Sequence, residues 1–157
     1  MSDEPPEPGG KPFTGVTVDD EQDVPVDAAF LSSVAARALQ AMSVPADAML
    51  PITLVTPERM AELKESALGE RAPTDVLAFP MDSLAAPAPG PFVLGDVVLC
   101  PAVARAQASS VGRAFEEELA HLLVHGILHC LGRDHAEPVE EAAMRAEEQM
   151  ILAGVAP

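Results

Sequence analysis

The segment HGILHCLGRDH, residues 125–135, holds three of the four histidines in a chain of 157 residues. His125 and His129 are four apart, so on an α-helix their imidazoles stand one turn apart on one face and can grip one metal ion. His121 continues that stripe. On a straight helix, however, it lies about 12 Å along the axis from His129, too far for both to reach one zinc through bonds of about 2.0–2.1 Å. The third ligand is then expected from where the chain turns back. Gly132 can adopt a left-handed conformation and end the helix, so that residues 133–135 return and His135 points at the other two. Three neutral histidines leave a tetrahedral zinc with one open position, which suits catalysis. Such an ion lowers the pKa of a coordinated water towards about 7 and polarises a carbonyl or phosphoryl oxygen. The expectation is one zinc per chain on His125, His129 and His135. Asp134 either orients a histidine N–H or caps the turn. His121 reads as a packing residue or a support for the ligands.

The spacing is close to the H-E-x-x-H-x-x-G-x-x-H signature of metzincin proteases, where the glutamate after the first histidine is the general base. Here that position is Gly126, so a peptidase would need a base from elsewhere. Cys130 follows His129 directly, but adjacent helical residues point about 100° apart. It reads as a small buried apolar side chain rather than a ligand. Cys100 and Cys130 do not form a disulfide framework and are expected to be reduced in the cytoplasm.

The elements that must position these residues can be placed from periodicity and punctuation. FTGVTVD (13–19) alternates as a first strand. Residues 27–42 read as a helix, with Leu31, Val34, Ala35, Ala38, Leu39 and Met42 on one face. LPITLVT (50–56) is a strand, and Thr56 followed by Pro57 is an N-cap with a first-turn proline for a helix to Leu68. TDVLAFP (74–80) and VLGDVVLC (93–100) are strands around a proline-rich loop, 82–92. Pro101 starts a short helix, 114–131 form a longer one ending at Gly132, and 138–154 form a final amphipathic helix. Four strands interleaved with about five helices predict a single-domain α+β, or irregular α/β, fold: a small mixed sheet packed with helices.

Length and composition fit one domain with an aliphatic core: 48% of residues are apolar and only 3% aromatic, with no tryptophan or tyrosine. No run of about 18 apolar residues occurs, so no transmembrane helix is expected. Residues 1–12, acidic and proline-rich, read as a disordered tail and lack the features of a secretory signal. The protein is expected in the cytoplasm. A net charge of −16 argues against non-specific nucleic-acid binding through a basic surface. The acids concentrate in residues 3–27 and 116–148, and Arg59, Lys64, Arg71, Arg105 and Arg113 lie between, leaving room for a local positive cleft.

HGILHCLGRDH resembles the H-G-x-L-H-L-x-G-x-D-H signature of the YbeY family, bacterial metal-dependent endoribonucleases of rRNA maturation and ribosome quality control. PTDVLAFP (73–80) is similar to the family's P-T-D-V-L-S-F-P, and LGDVVLCP (94–101) to its L-G-D-I-V-I-S, in the same order. The resemblance covers residues 13–155, taken as one metal-hydrolase domain. It implies a small mixed sheet with surrounding helices, and zinc on His125, His129 and His135. It also implies single-strand-specific cleavage of the small-subunit rRNA precursor and association with the ribosome or its small subunit. No membrane or DNA partner is expected. Cys130 stands where the family has leucine, and Ala78 where it has serine. An arginine that many members carry before the P-T-D motif as an RNA contact falls here at Leu68 or Ser66, with Arg71 nearby. Asp75 and Asp96, inside the strand motifs, are given no catalytic role. Two other readings stand beside this one: a zinc-dependent peptidase, and a non-catalytic zinc clip in a ribosome-binding module.

Overall fold

The computed structural model describes residues 15–83, 92–133 and 137–153. The expected tail, most of the proline-rich loop, Asp134 and His135 lie outside the described residues. The chain begins with a parallel β–α–β unit: β1 (Val16–Asp20), α1 (Ala28–Ala41) and β2 (Leu50–Leu54), with Val16 opposite Leu50 and Asp20 opposite Leu54. Asp27 caps α1 by accepting from the Phe30 N–H at 3.1 Å. The stripe Leu31, Val34, Ala35, Ala38 and Leu39 is buried as its spacing predicts, while Met42 packs partly buried at the C-cap.

α2 (Pro57–Leu68) starts on Thr56, whose Oγ1 accepts from the Arg59 N–H at 3.2 Å, and stops at Gly69 with φ +77°. β3 (Val76–Pro80) then runs antiparallel to β4 (Gly95–Leu99), which is also parallel to β2. The sheet order is β1-β2-β4-β3, mixed and four-stranded as expected. β3 starts two residues later than the sequence suggests. The Asp75 carboxylate occupies the Val76 N–H at 2.8 Å, a local bond that competes with strand pairing.

β2 and β4 lie inside the sheet, and their side chains divide between two apolar layers. Ile52, Leu54, Val97 and Leu99 face the main core with α1 and α4. Val98 faces a smaller cluster with Met60 of α2, Val55 and Cys100. Burial on both faces explains why β4 reads as a nearly continuous apolar run.

After α3 (Pro101–Val111), α4 (Phe115–Cys130) crosses the molecule and touches α1, α3, β3, β4 and finally α5 (Pro138–Leu152). A helix with neighbours on so many sides is apolar nearly all round. Its close approach to the sheet is made at Gly126: a Cβ there would lie 2.9 Å from Val97 Cγ1 and 3.2 Å from Val76 Cγ2. Val97 is β-branched and stiff, so it cannot swing aside cheaply. Gly126→Ala is expected to cost about 1–3 kcal/mol in overpacking, against about 1 kcal/mol of helix propensity gained. The net expectation in chemical denaturation is a loss of stability, part of which Val97→Ala on the same background recovers.

Candidate metal centre

Along residues 121–130 of α4, only His121, His125 and His129 escape full burial. The face of the helix that reaches open space is therefore the histidine stripe. His125 and His129 turn towards each other: their Nε2 atoms are 3.0 Å apart, with the rings nearly perpendicular at 76°. Two nitrogens on one tetrahedral zinc, with bonds of about 2.05 Å, stand about 3.3 Å apart. The pair thus fits a shared ion with only a small adjustment. It opens into a cleft of about 360 Å³ between α4 and the edge strand β3, lined by Asp75, Val76, Ala78, His125, Gly126 and His129.

His121 stands apart from this pair. Its ring centre is 6.3 Å from that of His125, and its Nε2 approaches Glu148 Oε1 at 3.5 Å. That matches the axial separation expected along the stripe.

The turn after α4 forms as Gly132 suggests. Gly132 has φ +86° and donates its N–H to His129 O at 3.0 Å, while the Arg133 N–H reaches Leu128 O at 2.9 Å. These two bonds are the Schellman arrangement, which closes the helix end. Arg133 then grips Glu147 of α5 with Nε at 3.0 Å from Oε1 and Nη2 at 3.1 Å from Oε2. The turn that closes α4 is thereby anchored to α5. With His135 outside the described residues, no group of three metal-holding side chains occurs among those described.

The residue after Glu147 was not singled out by sequence. Glu148 Oε2 lies 2.6 Å from His125 Nδ1. Burial pushes the Glu148 carboxyl up, but hydrogen bonds from His121 and His125 prevail and hold its pKa down to about 2. The Glu148 hydrogen bond in turn raises His121, against the opposing effect of burial. One signal was available: Glu148 shares the buried face of α5 with Met144 and Ile151, at helical spacing. An acid on an apolar stripe requires a partner.

A larger hollow of about 450 Å³ is lined by Phe30, Arg113, His121, Arg145, Glu148 and Leu152. Arg113 and Arg145 are held there by Glu118 and Glu141. The smaller cleft is the one into which the paired His125 and His129 nitrogens open.

The model of the family described as endoribonuclease YbeY matches residues 17–156. An endoribonuclease YbeY of Thermobifida fusca is 45% identical over 143 residues, covering 88% of this chain and 92% of the relative. One of Beutenbergia cavernae is 49% identical over 140 residues, covering 86% and 93%. The chain belongs to the YbeY endoribonuclease family. The solution structure of a Thermotoga maritima protein has the same fold, with a TM-score of 0.58 at 22% identity over 88% of this chain and 89% of that one. Family membership makes the molecule an endoribonuclease, a hydrolase with RNA as its substrate. No helix among the described residues is long and apolar enough to cross a membrane.

The YbeY strand motifs and the departures from them can now be located. Asp75 lines the cleft, but its oxygens are engaged. Oδ1 accepts from Val76 N–H. Oδ2 accepts at 3.1 Å from Gln107, whose amide orientation is assigned from its partners. The same Gln107 nitrogen reaches Glu118 Oε2 at 3.1 Å, and Arg113 closes the network on Glu118 Oε1 at 2.7 Å. Sequence reasoning missed this network, which ties the start of β3 to α3 and α4. Asp96 does not line the cleft. Where the family arginine would fall, Leu68 is exposed, and Arg71 is paired with Glu65 at 3.1 Å.

Cys130 turns away from the histidines. Its Sγ packs against Gly95 and faces the Asp96 carbonyl at 4.0 Å. Burial, then the Asp96 charge, pushes its thiol up to about 12, and burial also raises Cys100. Both cysteines are free and buried. Native protein at pH 8 is expected to resist a thiol-alkylating reagent over a period in which the denatured chain is labelled at both. Rapid native labelling of Cys130 would contradict the placement of its side chain.

Proposed function

We propose that this YbeY chain is a zinc-dependent, single-strand-specific endoribonuclease. In this proposal it works in the cytoplasm, in maturation of small-subunit rRNA and in ribosome quality control, with the rRNA precursor and the small subunit as partners. His125, His129 and His135 would hold one zinc per chain. The observation that carries the proposal is the convergence of the His125 and His129 Nε2 atoms, 3.0 Å apart, on an open cleft. A bound zinc would supply Lewis-acid polarisation of a phosphoryl oxygen.

The chain's own residues account for the rest of the cleft's character. Val76 and Ala78 on β3 and Gly126 on α4 form the wall on either side of the histidine pair, and the Asp75 carboxylate adds a negative charge at its edge. The general base remains unassigned to any side chain. Gly126 cannot serve, because it has no side chain to take a proton, and a Cβ there would meet Val97 Cγ1 at 2.9 Å and Val76 Cγ2 at 3.2 Å. The same geometry counts against a peptidase built on the metzincin plan, whose base occupies that position.

The test is cleavage of a labelled single-stranded rRNA-precursor fragment by zinc-loaded protein, with His129→Ala and a chelated sample alongside. Cleavage is expected from the zinc-loaded wild type alone, with activity falling at least about 100-fold when the site is broken or emptied. Ends bearing a 2′,3′-cyclic phosphate would assign the ribose 2′-hydroxyl as nucleophile. Equal cleavage by all three samples would sink the proposal. Zinc binding with a raised melting temperature and no turnover would favour the structural clip.

A further inference from the structure

We propose that Glu148 is a positioning residue for the metal centre: it holds His125 in the tautomer with hydrogen on Nδ1, so that the Nε2 lone pair faces the cleft. The inference rests on the zinc reading above, but part of its test is independent of it.

The geometry leaves the hydrogen bond little freedom. Glu148 Oε2 is 2.6 Å from His125 Nδ1, and only 9% of the glutamate side chain is exposed. The buried Met144 and Ile151, on the same face of α5, fix the backbone that presents it. The other oxygen, Oε1, faces His121 Nε2 at 3.5 Å. An ionised carboxylate offers only acceptors, so the bond to His125 requires a hydrogen on Nδ1. In a neutral imidazole the opposite nitrogen is then the acceptor. That nitrogen is Nε2, the atom 3.0 Å from His129 Nε2.

The other tautomer would set the Nδ1 lone pair against the carboxylate and place an N–H where a ligand lone pair is needed. An imidazole with no partner at Nδ1 favours hydrogen on Nε2, so the ligating form needs support. Carboxylates that fix a metal-bound histidine in this way typically change metal affinity about 10–100-fold when removed. A purely structural role, joining α4 to α5, would affect melting but would not link tautomer to affinity.

Glu148→Ala and Glu148→Gln would be compared with wild type in two measurements. The first is the ¹⁵N spectrum of His125 in metal-free protein at pH 8, which reports where the hydrogen sits. The second is the zinc dissociation constant, by competition with a chromogenic chelator. Wild type is expected to carry hydrogen on Nδ1. In Glu148→Ala the hydrogen moves to Nε2 and zinc binds about 10–100-fold more weakly. Glu148→Gln keeps the Nδ1 hydrogen, because its amide oxygen can accept the same bond, and stays within about tenfold of wild type, inside the range such partners command. The proposal is overturned by an unmoved hydrogen in Glu148→Ala, or by wild-type affinity in a variant whose hydrogen has moved. If Glu148→Ala does not fold, Glu148→Gln decides: tautomer and affinity must be kept together or lost together. A wild type that binds no zinc defeats the metal reading instead, and the spectra still decide whether Glu148 sets the tautomer.

Discussion

The close contact between α4 and the sheet at Gly126 is the constraint on which the rest of the site depends. Without a Cβ at that position, the helix settles directly onto Val97 and Val76. Three consequences follow from one missing methyl group. The helix axis is drawn to the sheet. Its apolar residues on the other sides meet α1, α3 and α5. Along residues 121–130 only the histidine stripe is left uncovered, and His125 and His129 of it stand beside the edge strand β3. A short helix face is thereby turned into the wall of a cleft.

The same constraint bears on chemistry. In the metzincin pattern the residue after the first histidine carries the base. Here that residue is turned to the interior of the sheet packing, and no side chain larger than hydrogen is accommodated without movement. The two patterns share a histidine spacing and differ in what surrounds it. Similar ligand spacing therefore does not imply a similar reaction, because reaction class depends on which groups stand beside the ligands.

Support for the histidines comes from α5, through two neighbouring acids. Glu147 receives two hydrogen-bonding nitrogens of Arg133, just past the end of α4. Glu148 receives His125, near that helix's C-terminal end. One helix thus braces both His125 and the turn that closes α4 at Arg133. In a protein of net charge −16, these acids are committed to internal partners rather than spread over the surface. Arg59, Arg71 and Arg113 are likewise paired with acids. At the position before the P-T-D motif where many relatives have an arginine, this chain has the exposed Leu68.

The sequence by itself determined what depends on near neighbours. Four-residue spacing put His125 and His129 on one face, Gly132 ended α4, Thr56 and Pro57 opened α2, and the apolar stripe of α1 is the one that is buried. Local hydrogen bonds and helical period act over a few residues, and they survive in the fold. The motif resemblance pointed to the family as well. Tertiary structure alone decided what joins distant segments. It set the strand order β1-β2-β4-β3, the antiparallel entry of β3, the Gln107 network, and the pairing of Glu148 with a histidine 23 residues away. It also decided that Gly126 is a packing residue. Periodicity shows which face of an element is apolar, but not which element will cover it. A buried acid such as Glu148 gains its partner only when two helices pack at a particular height and rotation.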